Sequence, residues 1–289
     1  MKIGVQLPSF GVDPSATAAE HARHAEGLGL ESVWTGDHLI PALPYLDSTL
    51  VQATVAASTS TIKLGFGVLI PALRGAAWAA KQIATLQHLS GDRLIVGIGT
   101  GGEPHGDAAW RAVGVPFAER GKRTDAVLAV LPDLIAGREA AIDGETVRMS
   151  PGATVPPLLI GGSGPAAWRR IAQLGAGWYP AFVPPSVVAA GIQRLRDLGI
   201  EAPVTVGVSV GLGPVEPSVV ADRVRGLLDY GVGEAEARQA IVVGSPAQAA
   251  EQLAAFAETG AERVVAMPFP ADRFQQRELL AEAMRKLTG

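Results

Sequence analysis

Asp37 and His38 stand side by side after a short β-branched run. A carboxylate beside an imidazole can fix its tautomer and shift its pKa, which suits proton donation or hydrogen bonding to a heterocycle. A turn-capping Asp followed by a half-exposed His is the competing reading. Glu103 follows Gly101 and Gly102 and precedes Pro104, in a loop with little side-chain bulk. Buried against a ligand, its carboxyl can act as an acid held neutral or as an ionised base; otherwise it is a solvated loop carboxylate. Gly161, Gly162, Ser163 and Gly164 run into Pro165. Glycines after a strand let backbone N–H groups face an anion, Ser163 adds a hydroxyl, and Pro suits the first position of a helix. An ordinary Gly-rich turn has the same composition. Arg169 and Arg170 follow within the first turns of that helix, where an anionic tail would pass.

Other patterns fail on context. Gly97-Ile-Gly-Thr-Gly-Gly102 matches G-x-G-x-x-G, but no helix opens at once and no acidic residue ends a strand about 20 residues on. Three strands precede it, whereas the dinucleotide fingerprint belongs to a first βα turn. His21 and His24 are three apart on a helical stretch among Ala and Glu and read as a solvated face, not a metal pair. No H-E-x-x-H, no G-x-S-x-G elbow and no H-x-E with C-x-x-C is present, so neither a metal site nor hydrolase chemistry is expected.

The elements that must position these residues come from an alternation of β-branched runs with Ala-rich helical stretches. Strands are expected at 3–7, 31–34, 63–70, 93–98, 157–160, 177–179, 204–210 and 263–267, and the first helix is expected to start on a Ser15 cap. That order predicts an α/β fold: a single (β/α)8 barrel over residues 1–289, with a small insertion between helix 4 and strand 5. The insertion spans 137–156 and carries an Asp143-Gly144 hairpin signal. A doubly wound open sheet competes, but no Pro/Ser-rich linker divides the chain. In such barrels chemistry sits at the strand carboxyl ends, which is where Asp37, His38, Glu103 and the glycine runs fall.

The 289 residues hold 24 Lys+Arg against 28 Asp+Glu, a net charge of −4, so a phosphate-backbone binder is not expected. Zero Cys excludes disulfides and thiolate chemistry and points to a reducing, cytoplasmic setting. The first residues lack the apolar core of a signal peptide, and no apolar run reaches about 18 residues, so no membrane span is expected.

Six stretches in order resemble the bacterial luciferase-like flavin and deazaflavin oxidoreductases, in the branch that uses coenzyme F420. They are Gly27-Leu-Gly-Leu-Glu-Ser-Val-Trp-Thr-Gly-Asp-His-Leu39, Ile62-Lys-Leu-Gly-Phe-Gly-Val-Leu69, 80–94, Gly114-Val-Pro-Phe-Ala-Glu-Arg-Gly121, Pro157-Leu-Leu-Ile-Gly-Gly162 and 243–251. The resemblance implies a barrel holding an isoalloxazine-like ring at the strand carboxyl ends, with Asp37, His38 and Glu103 beside it. It implies a non-prolyl cis peptide at Gly67-Val68 behind the ring, and phosphate contacts at Gly161, Gly162, Ser163 and Gly164; Gly101 and Gly102 join the cofactor set. The implied chemistry is hydride transfer between F420 and a small organic substrate, with His38 or Glu103 handling the proton. An FMN monooxygenase is the alternative, and a non-catalytic flavin-binding relative a second one. The resemblance also implies a homodimer through barrel helices 2 and 3, and holds Glu119 and Arg120 as loop anchors. Few cations lie near Gly211-Leu-Gly-Pro214, so an apolar or weakly polar substrate is expected, lined by Phe10, Leu69, Ile70, Tyr179, Phe182 and Phe269.

Overall fold

The computed structural model describes residues 1–8, 16–41, 44–102 and 106–288. Its strands are β1 (Lys2–Gln6), β2 (Ser32–Thr35), β3 (Lys63–Leu69), β4 (Leu94–Ile98), β5 (Glu139–Ile142), β6 (Glu145–Arg148), β7 (Leu158–Gly161), β8 (Gly177–Tyr179), β9 (Thr205–Leu212), β10 (Ile241–Gly244) and β11 (Arg263–Pro268). Nine of them form one parallel sheet in the order β10-β9-β11-β1-β2-β3-β4-β7-β8. The sheet curls: isolated parallel bridges Trp178–Val204 and Ala181–Gly207 bring the β8 edge back against β9. β5 and β6 pair separately as an antiparallel hairpin turned at Asp143-Gly144. β10, which pairs with the carboxyl half of β9, was not expected. Ile-Val-Val-Gly lies between two helices, outside the one-strand-per-helix alternation from which the strands are read.

The helices are α1 (Ala18–Gly27), α2 (Ser48–Ser58), α3 (Ala76–Ser90), α4 (Ala108–Ala112), α5 (Arg120–Ile135), α6 (Pro165–Leu174), α7 (Pro185–Asp197), α8 (Pro217–Asp229), α9 (Glu234–Gln239), α10 (Pro246–Glu258) and α11 (Arg273–Thr288). α1 starts on Thr17, whose hydroxyl accepts from the Glu20 N–H while Glu20 reaches back to the Thr17 N–H. This reciprocal capping box outcompetes the expected Ser15, which lies outside the described residues. No helix among the described residues is long and apolar enough to cross a membrane.

Strand alternation sorts side chains into two layers. Val5, Val33, Leu64, Val96, Ile160, Val208 and Val264 face outward into the helix-packed core. Trp34, Ile95, Leu159, Tyr179 and Val265 face inward as a separate cluster. Trp34 plugs the centre: it is fully buried, its Nε1–H donates to Ser32 Oγ at 2.8 Å, and it stacks on Tyr179 with centroids 5.6 Å apart. A Cβ at Gly4 or Gly65 would overlap the indole, so the neighbouring strands are bare where the ring lies. At the amino end, Arg263 makes a bidentate pair with Glu31 and donates to Thr205 Oγ1, stapling β11 and β9 to the start of β2.

His21 and His24 do not lie on a solvated face. His21 is buried and stacks on Phe274, and the Nδ1 atoms of His24 and His21 lie 3.1 Å and 2.7 Å from the fully buried Arg277 guanidinium. A helix-only reading cannot see that α11 closes over α1. No cluster of potential metal-binding residues occurs among the described residues. Burial, and then the charge of Arg277, hold His24 below the usual imidazole range against the opposing pull of Glu278. The unfolded chain therefore binds more protons, and the stability from neutral His24 is complete above about pH 6.5 and lost as pH falls through the lowered folded value. Thermal unfolding across pH 5 to 7.5 is expected to show wild type losing more stability toward acid than His24→Gln; parallel curves would contradict this.

Candidate active site

β2 leaves the sheet through Gly36 into Asp37 and His38. The Asp37 carboxylate is buried and saturated: Arg74 donates to Oδ2 from Nη1 at 2.6 Å and to Oδ1 from Nη2 at 2.8 Å. The Ile70 N–H donates to Oδ2 at 2.9 Å and the Ser48 hydroxyl to Oδ1 at 3.1 Å. One carboxylate thus ties the end of β2 to the end of β3 and to the start of α2. Burial works against the charge on Arg74, but the hydrogen bonds and charge of Asp37, helped by Asp47, more than offset it and raise its pKa. With its acceptor positions filled by internal donors, Asp37 holds the loop in place.

That hold leaves His38 half-buried at the strand end, its ring tilted against Tyr45 at 4.7 Å between centroids. A Cβ on Gly36 would sit 3.8 Å from His38 Nε2 and 2.5 Å from the Tyr45 hydroxyl, so both side chains lean over bare backbone. Neither Arg74, Ser48 nor Tyr45 was singled out from the sequence. Arg74 is 37 residues from its partner, and no local spacing announces such a pair.

The inner wall changes character toward the carboxyl ends. Below are Trp34, Tyr179, Ile95 and Leu159; above them the inward positions are Gly36, Gly67, Gly97, Gly99, Gly161 and Ala181. The Gly67–Val68 peptide is cis, and the β3–β4 register shifts between Phe66 and Leu69. The Val68 side chain lies against Gly97, Gly99 and Gly161. Gly101 has a positive φ of 66° and lies against Trp110, while Glu103 lies outside the described residues.

After β7, Gly162 takes φ 91°, Trp178 Nε1–H donates to its carbonyl at 2.9 Å, and Gly164 caps α6 without a side-chain hydrogen bond, with Pro165 in the first turn. The α6 amino terminus therefore presents backbone N–H groups beside exposed Ser163, a cradle suited to an anion. Arg169 and Arg170 are not part of it: both pair with Asp125 of α5, at 2.8 Å and 2.6 Å. Arg120 covers the Phe117 ring at 3.9 Å and donates to the Phe117 carbonyl, anchoring the entry to α5.

The expected apolar lining is only partly realised. Phe10 lies outside the described residues, and Leu69 faces outward into the helix layer. Tyr179 is buried beneath the mouth, its hydroxyl without a hydrogen-bond partner among the described residues and its pKa raised by burial. Phe182 and Phe269 do reach the mouth, packed beside α8.

Comparison with known proteins places this geometry. The model of a family described as "Luciferase-like monooxygenase" matches residues 1–222. An uncharacterized protein of Mycobacterium tuberculosis is 32% identical over 195 residues, 65% of this chain and 66% of that one. The 5,10-methylenetetrahydromethanopterin reductase of Methanolobus tindarius is 33% identical over 184 residues, 61% of this chain and 53% of the reductase. The match thus spans about half to two thirds of these relatives. An F420-dependent secondary alcohol dehydrogenase, solved with an F420–acetone adduct, superposes with a TM-score of 0.83 at 16% identity, covering 99% of this chain and 98% of that one. The oxygenating constituent of 3,6-diketocamphane monooxygenase from Pseudomonas putida, solved with FMN, superposes at 0.77 and 16% identity, covering 99% and 98%. At such identities the superpositions establish the fold.

Proposed function

The chain belongs to the luciferase-like monooxygenase family, and from that premise we propose that it is an F420-dependent oxidoreductase passing hydride to or from a small organic substrate at the strand carboxyl ends. The observation that carries the reading is the α6 amino-terminal cradle beside a mouth where the cis Gly67–Val68 peptide sets the Val68 side chain against Gly99 and Gly161. A flat tricyclic ring can rest on a bulge such as Val68, and its phosphate needs the N–H groups of a helix start. The residues present fit such a group. Gly67, Val68, Gly99, Gly101 and Gly102 would flank the ring, and Gly161, Gly162, Ser163 and Gly164 would hold the phosphate.

When bound, a deazaflavin supplies hydride transfer without readily activating oxygen. In this reading His38 moves the proton at the substrate oxygen, and Asp37 keeps it there by fixing the loop. Val68 and Met267, partly buried above the inner cluster, keep water from the reacting face. Glu103 is a second proton carrier by the same proposal.

Titrating the purified protein with F420 and with FMN tests the reading. F420 is expected to bind, and a substrate panel to change its absorbance. Binding of FMN alone, with oxygen consumption, would replace the reading by a flavin monooxygenase; cofactor binding with no hydride exchange would reduce the chain to a carrier.

A further inference from the structure

Resting on that reading, we infer that Arg223, laid on Ser209 across the barrel mouth, receives an oxyanion carried by the substrate, so that the substrate is a small carbonyl or alcohol compound bearing a carboxylate or a phosphate.

The placement follows from the register of β9. Val206, Val208, Val210 and Leu212 face the outer helix layer, so Thr205, Gly207, Ser209 and Gly211 face inward. Gly207 lies against Met267, Ala181 and the Tyr179 hydroxyl, and Gly211 lies under the Phe269 ring. Ser209 is thus the inward position one layer above the Tyr179 floor. Arg223 of α8 reaches over it: Nε and Nη2 donate to Ser209 Oγ at 2.8 Å and 2.6 Å, and the guanidinium lies 4.9 Å from the centroid of Phe182.

What Arg223 lacks is a counter-charge. No carboxylate among the described residues stands within ion-pair distance of it, in contrast to Arg74, Arg170 and Arg263, each of which has one. Burial, and after it the charge of Arg273, lower its pKa, so the pocket disfavours the very charge it holds. A half-buried guanidinium spread on an aromatic face, with a neutral hydroxyl as its only hydrogen-bond partner among the described residues, keeps N–H groups in the fork that matches a carboxylate or phosphate. β9 stands two strands from β7, with β8 between them, so Ser209 and the α6 cradle lie on neighbouring parts of the mouth. The expectation of an apolar or weakly polar substrate, drawn from the few cations near Gly211-Leu-Gly-Pro214, does not weigh this arginine, which stands 12 residues beyond Gly211.

The test needs no cofactor. Benzoate, benzyl alcohol and inorganic phosphate are titrated calorimetrically into wild type, Arg223→Gln, Arg223→Lys and Ser209→Ala, with unfolding midpoints as the folding control. Wild type is expected to bind benzoate at least about tenfold more tightly than benzyl alcohol, and Arg223→Gln to lose that preference. Arg223→Lys and Ser209→Ala should keep part of it, and they carry the test should Arg223→Gln fail to fold. Phosphate displacing benzoate assigns a phosphate-bearing substrate; benzoate binding tighter assigns a carboxylate. No preference in wild type, or an undiminished preference in Arg223→Gln, overturns the inference. So does a loss of F420 affinity in Arg223→Gln, which would give the guanidinium to the cofactor. A wild type that binds neither F420 nor FMN yet prefers benzoate would defeat the cofactor reading and leave the oxyanion site standing.

Discussion

Asp37→Ala is expected to destabilise the protein by about 3–5 kcal/mol, the usual cost of removing one partner of a buried ion pair. The substitution orphans more than a salt bridge. Arg74, with 15% of its side chain exposed, loses both of its short hydrogen bonds, and the Ile70 N–H and Ser48 hydroxyl lose their acceptor together. Each buried donor left without a partner carries its own desolvation penalty, and Asp47, 3.6 Å from Arg74 and far more exposed, cannot replace the bidentate geometry. Denaturant unfolding should show a lower midpoint at unchanged slope. Arg74→Met alone should also destabilise, and the double variant should lose less than the sum, because the two side chains share one interaction. A loss below about 1 kcal/mol for Asp37→Ala would mean that the pair behaves as an exposed one.

His38→Ala is expected to slow turnover of the F420-loaded enzyme by about 100- to 10,000-fold, the range for losing a positioned proton carrier. Cofactor affinity should change little. The imidazole lies at the end of β2 over Gly36, whereas the proposed cofactor contacts are spread over backbone from Gly67 to Gly164. Stability should also hold, since His38 is half-buried and Asp37 carries the loop. Titration with F420 and single-turnover absorbance on the same preparation separate the two effects. Equal losses in affinity and turnover would make His38 a positioning residue.

Much of the architecture was legible in the chain. Eight of the nine sheet strands were anticipated because short apolar runs alternate regularly with Ala-rich helical stretches, an order that β10 interrupts. The Asp143-Gly144 hairpin was read because a tight turn is chosen by the local conformational preferences of two residues. α4 was missed, since five residues cannot show a helical period. Trp34 neighbours Asp37 and His38 in sequence, but it does not join them at the strand end. Alternation instead turns it inward, where Gly4 and Gly65 make room for it.

The same division runs through the candidate site. Sequence by itself determined the family, the strand-end position of Asp37 and His38, and the glycines before α6, because these depend on residue type and short spacing. Only the tertiary structure decided which charges meet. It gave Arg169 and Arg170 to Asp125, Arg74 to Asp37 and Arg277 to two histidines, and it left Arg223 with a serine. Those pairings join residues from about 14 to more than 250 positions apart. Nothing in the chain's local pattern ranks them, because a charge is satisfied by whatever donor or acceptor the curled sheet and its helices bring within about 3 Å.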